Sequence, residues 1–279
     1  MAIPILKAWE NYFIDRDEGL GSSYERVILN NKLEHICKEF QINNLLEIPV
    51  FGFTGLSGIN SLHAAIKGQE VTIADNNEKR IDLIKSVWHE TGKEADVHMV
   101  GNFSPLPFPD KKFDMSWNFS ALWFVDNLSD FLKELVRVTK KVIFICVPNI
   151  SAIGYISQKY LGKEDLKKYL KEENIFSHNI KKSMADFGWK LTDSNYIDCP
   201  PWPDIGMAKK KFLSIFCLGW LVKEKKDNLS IMDYYTGKDP AFPEKMMKYY
   251  FFEKYAPRFI KKLWAHHRYF LYIPSTSSL

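Results

Sequence analysis

Between residues 45 and 147, short apolar runs alternate with longer stretches whose apolar residues recur every three or four positions. The runs at 45–48, 70–74, 97–100, 113–117 and 141–147 have the length of buried strands, and Pro148 stops the last. The stretch 59–66 predicts a helix with Leu62, Ala65 and Ile66 on one side, closed by Gly68. Residues 77–90 place Ile81, Ile84 and Val87 at helical spacing, and 128–139 do the same with Phe131, Leu132, Leu135 and Val138. Strands joined through helices imply crossover connections, hence an α/β fold: a mostly parallel, doubly wound sheet with helices on both faces. Beyond residue 150, 164–173 predicts an exposed Lys/Glu-rich helix and 180–187 a helix closed by Gly188. The run 190–197 is a sixth strand and 268–273 a seventh.

In open α/β sheets, ligands bind beyond the carboxyl ends of the strands. The loop after the first strand holds Gly52, Gly55 and Gly58 and runs into a helix, whose first N–H groups can donate to a polar or anionic ligand. Asp75 closes the second strand, where a carboxylate can accept hydrogen bonds from the two hydroxyls of a ribose. The loop spacing is G-x-x-G-x-x-G, not the G-x-G-x-x-G of dinucleotide-binding enzymes. The plainer reading is a glycine-rich turn and a surface aspartate.

Five segments taken together go further. Leu45-Leu-Glu47-Ile, the glycine loop, Glu70-Val-Thr-Ile-Ala-Asp75, Val100-Gly-Asn102-Phe-Ser-Pro-Leu-Pro-Phe108 and Phe113-Asp-Met-Ser-Trp-Asn118 resemble, in order and distance, the class I S-adenosylmethionine-dependent methyltransferases. The likeness is to the small-molecule, type 11-like group and covers about residues 20–200. It implies a Rossmann-like core, S-adenosyl-L-methionine as cofactor and S-adenosyl-L-homocysteine as product. It also implies roles. Glu47 would lie near the methionine amino group, and Gly52, Gly55 and Gly58 would wrap the methionine and ribose. Asp75 would hold the ribose hydroxyls, with Asn76 against the adenine. Asn102 and Phe103 would meet the adenine amino group and ring, and Asn118 would lie close to the sulfonium through its backbone. Tyr24 and Arg26, on a helix ahead of the first strand, would belong to a lid over the cofactor carboxylate; an exposed ion pair is the plainer reading of Arg26. Two positions depart from the family. The loop is about five residues longer than usual, and Asn102 stands where an aspartate is usual.

Composition narrows the class. With 46% hydrophobic and 26% charged residues, the 279-residue chain is neither disordered nor a disulfide scaffold. The longest apolar run, 212–222, is far short of the roughly 20 residues that cross a bilayer. The N-terminus lacks the pattern of a secretory signal. Cys37, Cys146, Cys199 and Cys217 are widely spaced, which predicts buried thiols in a reducing cytoplasm.

Residues 200–267 stand apart as a helical cap inserted before the last strand, the core domain being 1–199 plus 268–279. The cap is rich in aromatics, and long insertions of this kind often cover a binding site. The reading is therefore a small-molecule methyltransferase with a partly apolar or aromatic acceptor. Residues 205–279 carry 14 Lys/Arg against 6 Asp/Glu, which raises two alternatives. One is a nucleic-acid methyltransferase, against which the missing N/D-P-P-Y/F/W motif counts. The other is a membrane-surface enzyme resting 212–222 and its flanking lysines on anionic lipid. No catalytic residue is singled out. Trp123 suits packing, His178 a helix start, and His266-His267 lacks a third partner for a metal. Oligomeric state stays open.

Overall fold

The computed structural model describes residues 9–51, 55–161, 170–202 and 229–275. A helix, α1 (Gly19–Glu39), precedes the sheet. Then β1 (Asn44–Glu47), α2 (Leu62–Ile66), β2 (Glu70–Asp75), α3 (Glu78–Glu90), β3 (Asp96–Met99) and β4 (Phe113–Phe119) follow. They lead to α4 (Leu128–Val138), β5 (Thr139–Pro148), α5 (Ile153–Leu161), α6 (Ser177–Asp186) and β6 (Trp189–Ile197). Among the described residues, four short helices, α7 (Ile231–Tyr235), α8 (Phe242–Met247), α9 (Tyr250–Tyr255) and α10 (Arg258–Trp264), stand between β6 and the final strand β7 (His267–Pro274). The predicted helix 59–66 begins only at Leu62, because residues 59–62 form a turn in which the Leu62 N–H donates to the Ile59 carbonyl at 3.1 Å. The predicted helix 164–173 lies largely outside the described residues; Glu172–Ile175 is a 3-10 turn.

The seven strands form one sheet in the order β3-β2-β1-β4-β5-β7-β6. All neighbours are parallel except those of β7, which runs antiparallel between β5 and β6. This is the Rossmann-like, mostly parallel sheet expected, with helices on both faces. Alternation along the central strands builds two cores. Met115, Trp117, Phe144 and Cys146 face α1 and α3, while Ile143, Ile145 and Val147 face α4 and α6. Helix α4 shows how locally the elements are specified. Asn127 caps it by accepting from the Asp130 N–H at 3.2 Å, and Leu128, Phe131, Leu132, Leu135 and Val138 bury one stripe.

The topology places one functional edge. The carboxyl ends of β1, β2, β4 and β6 bring Glu47, Asp75, Asn118 and Asp198 to the same rim, and antiparallel β7 begins there with His267. Among the described residues no helix is long and apolar enough to cross a membrane. Cys37, Cys146 and Cys199 are buried free thiols.

Candidate functional site

Glu47 ends β1 with no solvent exposure. Its carboxylate accepts from the Asn60 side-chain amide at 3.0 Å, the Ser61 N–H at 3.0 Å and the Ser61 hydroxyl at 2.6 Å. Burial pushes its pKa up to about 7, against the pull of Ser61, Asn60 and Arg26. Asn60 also accepts from the Arg26 guanidinium. That guanidinium is buried and forks onto Glu18 at 2.8 and 3.2 Å, with a third bond to the Leu56 carbonyl at 2.6 Å. Burial opposes its charge, but Glu18 more than offsets this. Arg26 is thus no exposed helical ion pair: α1 and the glycine loop close over it. The Leu56 N–H donates to Glu18 at 2.6 Å, so the chain's own carboxylate sits in the turn at Gly55.

The glycines of this loop do different things. Gly52 lies outside the described residues. Gly55 has φ +51°, and a Cβ there would meet the Glu18 carboxylate. Gly58 has φ +77°, and a Cβ would stand 2.4 Å from Cδ1 of Ile84. Its carbonyl accepts from the Trp88 indole at 2.7 Å. Gly58 therefore lets α3 pack against the loop.

Asp75, fully buried at the end of β2, accepts two bonds from Arg80, at 2.6 and 3.1 Å, and one from the Asn77 N–H at 2.9 Å. Burial still holds its carboxyl above the ordinary value. The Arg80 guanidinium is roofed by Phe51, 4.2 Å from the ring centre, and by Trp9 at 5.1 Å. Asn76 and Asn102 are exposed beside this rim, and Phe103 packs edge-on against Phe131. Tyr24 turns away from the glycine loop. Its hydroxyl donates to Glu253 of α9 at 2.9 Å, and its ring meets Trp202 edge-on.

Asn118 is the informative residue. It is the penultimate residue of β4, with zero exposure, and among the described residues neither its amide nitrogen nor its oxygen has a partner. Two residues on, Ser120 at φ +51° buries a hydroxyl that is likewise unpartnered. Buried polar atoms without partners are rare in folded proteins, and two such side chains stand together at this strand end.

A family of the description "Methyltransferase domain" matches residues 54–145, the span from the glycine loop through β5. The match covers about a third of the chain, and that span is similar to a methyltransferase domain. Residues of the chain are 34% identical over 73 positions to a malonyl-[acyl-carrier protein] O-methyltransferase of Erwinia pyrifoliae, which is 26% of each protein. The chain thus spans about a quarter of that relative's length. The fold is shared with the MccD protein (TM-score 0.52, 12% identity, 88% of this chain and 96% of that one). It is also shared with phospholethanolamine N-methyltransferase 2 of Haemonchus contortus (TM-score 0.51, 15% identity, 88% and 53%), whose structure holds S-adenosylhomocysteine and phosphomonomethylethanolamine.

The Haemonchus contortus structure holds S-adenosylhomocysteine, the demethylated product of the donor that the sequence resemblance implies. The orphaned Asn118 amide and Ser120 hydroxyl fit such a ligand, since each could satisfy a polar atom at the strand ends. Asp75 fits once Arg80 withdraws, because both carboxylate oxygens are now engaged.

The rim holds further chemistry that the sequence did not reveal. His266 donates or accepts through Nδ1 at 2.7 Å from Asp198, and His267 lies 3.5 Å from the same carboxylate. Glu25 of α1 is 4.0 Å from His267. No linear spacing links residues 25, 198 and 267, so only the folded sheet brings them together. Trp123 is packed, with its indole on the Ser120 carbonyl at 2.8 Å. His178 is an exposed residue of α6.

Proposed function

We propose that the protein is a methyltransferase that moves the methyl group of S-adenosyl-L-methionine onto a small, partly apolar or aromatic acceptor by in-line displacement. The observation that carries this reading is the buried, unpartnered Asn118 amide, at the carboxyl end of a strand inside the matched span. When bound, the cofactor would supply an electrophilic methyl whose leaving group is already activated by positive charge. What remains for the chain is alignment and exclusion of water. Glu47 would face the methionine amino group, Asp75 the ribose and Asn118 the reacting end. Gly55 and Gly58 let the loop backbone turn closely. Asn102, an amide in place of a carboxylate, can still accept from an adenine amino group. Supporting an aromatic acceptor, Tyr24, Trp202 and Tyr249 stack edge to edge beneath the C-terminal helices. We read residues 200–267 as the acceptor cap; 203–228 lie outside the described residues.

The test is binding of S-adenosyl-L-homocysteine. At one hundred times its Kd it should stabilise the protein by about 2.7 kcal/mol, and the rise in melting temperature should vanish in Asp75→Ala. No shift and no calorimetric heat with donor or product would refute the reading; a shift that persists in Asp75→Ala would refute the ribose placement.

A membrane-surface setting has its own support. The segment 212–222 lies outside the described residues, but α9 and α10 expose Phe251, Tyr255, Phe259 and Leu263 among Lys254, Arg258, Lys261 and Lys262. Exposed aromatics among basic side chains suit an anionic lipid surface. Co-sedimentation with phosphatidylserine vesicles that is lost in Phe251→Ser/Phe259→Ser supports this setting; equal sedimentation of wild type and variant refutes it.

A further inference from the structure

The three groups at the far end of the rim form a second, independent constellation. Glu25, Asp198 and His267 are all buried, and each offers a ligand atom within 4.8 Å of the other two. They come from three elements: α1, the residue closing β6 and the first residue of β7. The His266 N–H donates to the Asp198 carbonyl at 2.9 Å, which clamps the two strand ends together. His267 Nδ1 stands 4.0 Å from a Glu25 oxygen and 3.5 Å from Asp198 Oδ2, the oxygen that His266 also engages. Metal bonds of about 2.0–2.2 Å to nitrogen and oxygen place neighbouring donors roughly 3.0–3.5 Å apart. All three donors lie within 4.8 Å of one another, so side-chain rotation has to draw them in to ligand spacing.

A separate observation points to a ligand here. Asp198 is 1% exposed, and its Oδ1 has no hydrogen-bond partner among the described residues. Its other oxygen is held by His266 at 2.7 Å. One carboxylate oxygen is thus oriented by an imidazole while the other waits for a partner, the arrangement by which proteins fix a ligating carboxylate.

We propose that Glu25, Asp198 and His267 bind one divalent transition-metal ion, with His266 orienting Asp198 from behind. One imidazole and two carboxylates suit a borderline ion such as Zn2+ or Mn2+ better than Mg2+, which prefers oxygen and water. Three protein donors leave at least one position for water or another ligand. The site abuts the ring of Phe119, 4.5 Å from that of His267, and so lies beside the end of β4.

The test is equilibrium dialysis of the metal-stripped full chain against Zn2+ alone, with no nucleoside present, so that failure here is separate from failure of the methyltransferase reading. One equivalent of Zn2+ is expected. Asp198→Asn and His267→Gln should each weaken binding at least tenfold and His266→Ala 10–100-fold, while His178→Ala should not change it. Circular dichroism checks that the variants fold. Should they not, Co2+ spectra of the wild type decide. A d–d spectrum without thiolate charge transfer supports the site, and a thiolate band would assign the ion to a cysteine such as Cys199 and overturn it. No stoichiometric uptake, or uptake unchanged in both ligand variants, overturns it too.

Discussion

Gly58 is where the loop of the candidate cofactor site meets the hydrophobic core, and its substitution separates two reasons for a glycine. Its φ of +77° is the left-handed region, which costs an alanine roughly 1–2 kcal/mol. A Cβ would also stand 2.4 Å from Cδ1 and 2.5 Å from Cγ1 of Ile84. Ile84 is fully buried on α3 and cannot swing away. Overpacking of this kind typically adds about 1–3 kcal/mol. Gly58→Ala should therefore destabilise by about 2–5 kcal/mol in urea titration. The steric part should disappear when Ile84 is shortened. In an Ile84→Ala background, itself costing about 2–5 kcal/mol, the same Gly58→Ala change should cost only the backbone part, about 1–2 kcal/mol. The cycle should thus show a coupling of about 1–3 kcal/mol. If the two substitutions add to within about 0.5 kcal/mol, the contact with Ile84 is not what requires glycine, and the loop is not seated on α3 as described.

Two further outcomes follow from the buried charges. The native state holds the proton of Glu47 up to a pKa of about 7, against an ordinary 4.5, so stability should fall as pH rises from 4.5 towards 7 and level off above. The shift corresponds to about 3 kcal/mol, and the wild-type slope should exceed that of Glu47→Gln in urea titrations across this window; equal slopes would refute the raised pKa. Arg26→Met strands the buried Glu18 carboxylate and should cost about 3–5 kcal/mol, with part recovered in Glu18→Gln/Arg26→Met. A double variant no better than the single one would show that the pair is not coupled.

Much of this protein was legible in the linear chain because its elements are locally specified. Apolar runs of strand length and the stripe of α4 depend on near neighbours alone. The strand pattern put Asp75 at a strand end, and the family resemblance did the same for Glu47 and Asn118; a parallel sheet then aligns those ends on one rim. The partners of those residues are another matter. Arg80 on Asp75, Glu18 on Arg26 and Leu56, and Ile84 against Gly58 are set by how α1 and α3 pack onto the loop, and no periodicity encodes such contacts. Glu25, Asp198 and His267 are the extreme case. They are separated by as many as 242 residues and adjoin only because β7 inserts antiparallel between β5 and β6. Short-range propensity writes the elements; strand order, a property of the whole packed sheet, decides which charges share a space without water.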